Sequence, residues 1–253
     1  MTGQEQKNEM QDWSHKLVRA CAEFVKFKDD LDAANKASYV HSPLIRKLRW
    51  FCGFYEPNTK NNYREPTAVM PNDFAENALP FLCTLSKHNG EYYKCLINPQ
   101  LVVSGTYRNY NQDITGGYTD TNAEDVMNWS DKYVADNAHQ VIAYYRPDNL
   151  PLYIALEGKN RIELFKRHRK NMLAWVIQTN SVPVSKLKLI RLSPFNVWAV
   201  SDSNEMKIIP FPRFTLPVYK ALGVDEAKPR WDILSLLKLR KTRLRAVSFQ
   251  MSS

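Results

Sequence analysis

The chain has 253 residues, 44% hydrophobic and 24% charged, with a formal net charge of +9. That apolar fraction excludes wholesale disorder, and the length suits one large domain or two small ones that bury a core without disulfide staples. No apolar run approaches the roughly 18–20 residues of a membrane span. The polar opening MTGQEQKNEMQDW reads as neither secretory leader nor import sequence, so a cytoplasmic protein is expected.

Trp13, Leu17, Cys21, Phe24, Val25 and Leu31 recur at helical spacing and predict a helix over 9–36. Ser42-Pro43 is an N-cap followed by proline at the first helical position, so a second helix with Leu44, Leu48 and Phe51 should follow. The stretch 56–71, rich in Pro, Asn and charge, predicts a long loop, and 73–86 a short helix. Residues 1–90 thus read as a helical N-terminal region in which no chemistry is visible.

From about residue 91 the apolar period shortens. Tyr92–Ile97 and Leu101–Thr106 predict strands interrupted by Asn98-Pro99, and 107–121 a loop. Thr121 or Asn122 can cap a helix over 123–137, with Val126, Trp129 or Met127, and Tyr133 or Val134, facing inward. Strands over 140–145 and 152–156 flank a turn at Pro147-Asp148-Asn149, and Glu157-Gly158 leads into a basic helix over 159–170. Further strands are predicted over 173–178, 188–192, 197–200 and 207–209. Pro210, Pro212 and Pro217 mark a lead-in to a basic helix over 231–246. The expected class is α+β, with a helical region over 1–90, a mixed domain over 91–210 and a basic C-terminal extension over 211–253.

Four cysteines (Cys21, Cys52, Cys83, Cys95) form no C-x-x-C pair and have no histidine at zinc-ligand spacing, so reduced, buried thiols are expected and no metal site is indicated. The charge is more informative. Residues 1–158 hold 16 Lys and Arg against 20 Asp and Glu, while residues 159–253 hold 19 against 6, so a mildly acidic front joins a strongly basic back. Such one-sidedness points to a polyanion-facing portion. Its cations concentrate over 159–191, including Lys166, Arg167, Arg169 and Lys170, and in the last predicted helix, including Lys238, Arg240, Lys241, Arg243 and Arg245. These are the expected nucleic-acid contacts, DNA in first place, with Trp198, Phe211, Phe214 and Trp231 as aromatics that either stack on bases or fill the core.

The segment Leu150–Val176 carries the sharpest signal. A buried strand runs through Glu157-Gly158 into a helix whose first turn holds Lys159, Asn160 and Arg161. A helix N-terminus offers unpaired N–H groups and positive potential, glycine lets an anion come close, and Lys159 and Arg161 add cations, so Gly158–Arg161 reads as a phosphate cradle. Glu157 and Glu163 flank it and can hold Mg²⁺ or orient water, or simply form caps and ion pairs. Asp113, Asp120, Glu124 and Asp125 are alternative metal ligands. His168 shares a helical stripe with Arg161 and is a candidate general base.

The order helix, strand, hairpin, strand, Gly158-x-x-Arg161, helix, strand resembles the ParB/sulfiredoxin superfamily, in particular the ParB-like nuclease domain, over roughly residues 96–180. Val141–Tyr145, Tyr153–Leu156 and Ala174–Ile177 match its strands. The resemblance implies that Gly158 and Arg161 contact phosphate, with Lys159 and Asn160 beside them, and that Mg²⁺ and a nucleoside triphosphate are candidate cofactors. Lys159 and Asn160 depart from the usual acidic residue and second arginine, and no cysteine stands beside the motif as in sulfiredoxins, so thiol redox chemistry is not expected. The expected function is nucleic-acid binding, with Arg161 and Glu157 as catalytic candidates for nuclease or triphosphatase activity. Rivals are a non-catalytic DNA-binding or partner-binding protein of a plasmid, phage or other mobile element, and a small-molecule kinase. A homo-oligomer is compatible with each.

Overall fold

Helix α1 (His15–Ala37) begins where the Leu17 N–H donates to Ser14 Oγ at 3.3 Å, a side-chain cap for one of the donors a helix start leaves open. The computed structural model describes residues 13–37, 70–85, 91–105, 123–136, 143–156, 159–194 and 196–231. The second helix and the long loop expected before residue 70 therefore lie outside the described residues, as does the basic helix beyond Trp231. Leu17, Cys21, Phe24 and Val25 of α1 are buried as their spacing requires. Phe24 stacks at 5.3 Å on Phe74 of helix α2 (Pro71–Ala78), which opens on proline.

The predicted strands then assemble into a mixed sheet. It comprises β1 (Tyr93–Ile97), β2 (Val102–Val103), β3 (Ala143–Pro147), β4 (Tyr153–Ala155) and β5 (Met172–Thr179), in the spatial order β1-β5-β3-β4-β2. β3 and β4 form the expected antiparallel hairpin, and β5 lies parallel to β3 on its other side. Helix α3 (Ala123–Ala135) lies between β2 and β3 in sequence, and α4 (Lys159–His168) carries the chain from β4 to β5. Alternation sorts the strand residues between two cores. Val102, Tyr144, Ala155 and Ala174 pack with α3 and α4, whereas Val103 and Ile154 join the core of α1 and α2.

A second sheet holds β6 (Lys188–Ser193), β7 (Val197–Ser201) and β8 (Met206–Ile208) as a meander. Two short strands, β9 (Asp225–Glu226) and β10 (Arg230–Trp231), run parallel to opposite ends of β6. Between them and β8 stands helix α5 (Pro212–Ala221), where the prolines predict only a lead-in. Pro212 occupies the first turn, where no N–H is missed, and Pro217 forfeits one internal hydrogen bond. Burial offsets that loss: Thr215, Val218 and Tyr219 are buried, and Phe214 stacks on Phe27 of α1 at 4.0 Å. Residues 211–224 thus share a core with α1 and α2, and the described residues end at Trp231 in an exposed strand where the sequence predicts the start of a helix. Among the described residues the chain is an α+β protein with five α-helices and two mixed sheets.

α1 also buries a charge. Lys28 continues the stripe of Phe24 and Val25 and is fully buried. Its ammonium donates to the Asp32 carboxylate one turn on and to the Ser104 carbonyl at 2.8 Å, over the ring of Phe74. Lys166 of α4 arrives at the same place, donating to Asp29 at 2.6 Å and lying 3.3 Å from Ser104 Oγ. Burial pulls the Lys28 pKa below the ordinary lysine value, against the attraction of Asp32 and Asp29 and with repulsion from Lys166. Between the lowered folded value and the unfolded value the unfolded chain binds the extra proton, so stability from this group rises with pH across that window. The stability of the wild type relative to Lys28→Met should therefore climb as pH is raised from about 7 toward the ordinary lysine pKa of about 10.4. Urea unfolding at stepped pH measures it, and a constant difference would contradict the account.

Candidate functional site

The hairpin β3–β4 and the crossover helix α4 converge where the sequence places its phosphate cradle. Lys159, Asn160 and Arg161 form the first turn of α4. Glu157 and Gly158 lie outside the described residues, as do the side chains of Lys159 and Asn160. Arg161 is fully placed and is 9% exposed. Its guanidinium lies over the indole of Trp129, from α3, with Cζ 4.7 Å from the ring centroid. Nη1 is buried, and among the described residues it has no hydrogen-bond partner. A desolvated cation that keeps an unanswered donor is energetically unfavourable by itself, and an anion answers both deficits.

One face of the first sheet continues from that point. Tyr144 and Arg146 are two residues apart on β3 and so share a face. Tyr144 is fully buried beside Arg161, and its hydroxyl donates to Met172 Sδ at 4.0 Å. Burial raises the Tyr144 phenol far above its ordinary pKa, and the Arg161 charge opposes that rise only in part. Further along, Arg146 sits close enough to Tyr93 and Tyr153 to pull both phenols down, while burial raises them more strongly and Cys95 adds to the rise. Arg146 Nε and the Tyr93 hydroxyl are buried and have no hydrogen-bond partner among the described residues. Beside this sheet face, Arg161 Nη1, Arg146 Nε and the Tyr93 hydroxyl are thus buried polar groups with no partner among the described residues, and the two guanidiniums favour an anion.

The other expected contacts fall differently. Lys166 is 8% exposed and is bonded to Asp29 and close to Ser104, so it serves the interior and not an outer basic face. Spacing alone cannot reveal this, because the partner carboxylate stands 137 residues away. Arg167 and Arg169 are exposed at the C-terminal end of α4, where cations favour the helix dipole, and Arg169 takes a left-handed conformation as the helix stops. Lys170 Nζ donates to Asn128 Oδ1 at 2.8 Å. His168 is exposed in the last turn, about 10 Å along the axis from Arg161 at 1.5 Å per residue, so the two do not form one site. Glu163 is half-buried, while Glu124 and Asp125 are exposed in the first turn of α3. Asp113, Asp120, Lys238, Arg240, Lys241, Arg243 and Arg245 lie outside the described residues.

Among the aromatics named for stacking, Phe211 and Phe214 pack against Phe27, and Trp198 lies beneath Arg191 and Lys220. Met127 and Val134 are the inward residues of α3, and Trp129 is 49% exposed. Sequence reasoning missed Tyr144, Arg146 and Tyr153 as site residues; their alternation on β3 and β4 beside the motif was the available signal. Cys21 and Cys83 are buried free thiols as expected, and Cys95 is a half-buried one.

Compared with family models, curated proteins and solved structures, the chain shows no significant match.

The contrast between Arg161 and Lys166 gives a test. Lys166→Met should lower stability by about 1–3 kcal/mol, because it leaves the partly buried Asp29 unanswered, with little change in anion affinity of the folded protein. Chemical denaturation and phosphate binding measured on the same variant check it. Unchanged stability with lost binding would reverse the assignment.

Proposed function

We propose that the chain is a nucleic-acid-binding protein of ParB-like organisation whose phosphate site is the start of helix α4, with Gly158–Arg161 as its centre. The carrying observation is Arg161: a buried guanidinium, braced on Trp129, with Nη1 lacking a partner among the described residues. A helix N-terminus adds backbone donors and positive potential at the same point. The ParB-like reading is supported by the order of β3, β4, α4 and β5 and by the antiparallel and parallel pairings of β3. DNA is the expected polyanion, with exposed Arg167 and Arg169 contributing attraction outside the pocket.

The enzymatic version assigns Arg161 to charge stabilisation on phosphate oxygens and Glu157 to water or metal. Among the described residues no three His, Cys, Asp or Glu side chains gather as a metal-ligand set. Glu157, Asp113 and Asp120 lie outside the described residues, and the function put forward is binding.

Fluorescence anisotropy with labelled DNA at salt concentrations from about 50 to 200 mM is the direct test. Affinity should fall with a log–log slope of about −0.7 to −0.9 per phosphate contact. Arg161→Ala should weaken binding roughly 10- to 150-fold, the equivalent of about 1.5–3 kcal/mol for a charge-assisted hydrogen bond. A flat salt response, or full affinity in the variant, overturns the proposal.

A further inference from the structure

Trp129 is one of four large apolar side chains left exposed among the described residues, and it is the one in contact with the buried guanidinium of Arg161. A lone exposed aromatic needs no explanation. This one has two neighbours, Arg161 and Tyr133, that call for one. Arg161 covers one indole face at 4.7 Å, Tyr133 one turn on lies 5.2 Å away at a 32° tilt, and Arg161 Nη1 has no partner among the described residues. With Arg161 and Tyr133 both against the ring, the indole still leaves 49% of the residue exposed. An aromatic face held rigid beside an anion-seeking donor matches the two ends of a nucleotide, a flat base and a phosphate.

We infer that Trp129 is a base-stacking platform and that the ligand of the Arg161 site is an unpaired nucleotide within single-stranded nucleic acid. The inference rests on the phosphate reading of Arg161 and adds the substrate class. In a duplex the bases are already stacked on one another and closed to an indole, whereas a single strand offers a π-face at every nucleotide. Charge points the same way. Asp125 stands one turn before Trp129 on α3, and Glu124 beside it; both are exposed. A duplex backbone carries one negative charge per about 1.7 Å of axis and would have to lie along those carboxylates. A single nucleotide on the indole sets one phosphate, and not a whole backbone, near them.

The full-length chain should be titrated with a labelled 12-nucleotide single strand, with the same sequence annealed as a duplex, and with a nucleoside monophosphate. Wild type should bind the single strand at least tenfold more tightly than the duplex. Trp129→Ala should weaken single-strand binding roughly 5- to 150-fold, the range that stacking on one aromatic supplies. It should weaken duplex binding less than single-strand binding, and Trp129→Phe should restore most of the loss. Trp129→Ala also removes the ring that braces Arg161, so its melting temperature is read beside its binding, and Trp129→Phe keeps the test valid if Trp129→Ala does not fold. Duplex affinity equal to or above single-strand affinity, or Trp129→Ala without effect, overturns the platform. A monophosphate that binds as tightly as the oligonucleotide overturns the single-strand source. Arg161→Met separates the two ideas. If it abolishes binding while Trp129→Ala does not, phosphate recognition stands without stacking; if Trp129→Ala alone matters, the phosphate reading fails.

Discussion

The ion pair between Asp29 and Lys166 joins residues 137 positions apart and lies against a second buried ammonium, Lys28, with Ser104 between the two helices. Removing an ammonium from water costs several kcal/mol unless a carboxylate and further hydrogen bonds answer it. Lys28 and Lys166 are answered only when α1, α4 and the end of β2 come together in one register. A slip of α4 by one turn would strand Lys166 among apolar residues. The Gln100 side chain adds a second restraint by donating to the Lys166 carbonyl at 3.0 Å. This polar contact specifies position in a way that interchangeable apolar contacts of Phe24, Phe74 and Phe165 cannot.

Fixing the end of α4 also fixes its beginning. Helix α4 is short, and its first turn reaches α3 while its last reaches α1. The two buried cations of this helix therefore meet opposite circumstances. Lys166 has a carboxylate at 2.6 Å, while Arg161 has an aromatic face and a donor with no partner among the described residues. A cation–π contact recovers only part of what an ion pair would, on the order of 1–2 kcal/mol for a desolvated pair. The Lys28–Lys166 cluster fixes the register of α4, and with it the place of Arg161, which stays buried without a carboxylate among the described residues. Structure and candidate site are coupled through one helix.

Much of this was legible in the sequence, because period and punctuation act locally. The strand-forming runs over 92–97 and 173–178, the turn at Pro147–Asn149 and the helix expected over 159–170 all follow from rules that span a few residues. Helix α5 escaped because its two prolines argue locally against a helix, and only distant Phe27 and Pro80, the acceptor of the Tyr219 hydroxyl, supply the counterweight. Lys28 was the most readable omission. It stands on the apolar stripe of α1, where a charged residue signals a partner elsewhere in the fold. For the candidate site, the motif located Arg161 but not its setting. Trp129, Tyr144 and Arg146 belong to other elements, and only the packing of α3 and β3 brings them near it.

The same distinction between local count and spatial partner revises what the charge means. Residues 159–191 carry nine Lys and Arg against one Glu. Read as a string, that is a continuous basic surface. In the fold, Arg161 and Lys166 point inward, and Lys188 pairs with Asp225 at 2.6 Å. Lys170 is bonded to Asn128, and Arg191 to Asn196 while lying over Trp198. Arg167, Arg169 and Lys186 are exposed. Hydrogen bonds to neutral amides leave Lys170 and Arg191 charged, but attraction from outward cations is screened within about 10 Å at ordinary salt. Short-range hold on a phosphate falls to the desolvated site, where the low dielectric strengthens each guanidinium hydrogen bond. The chain's formal +9 is a poor measure of its capacity to hold a phosphate; the burial of Arg161 is a better one.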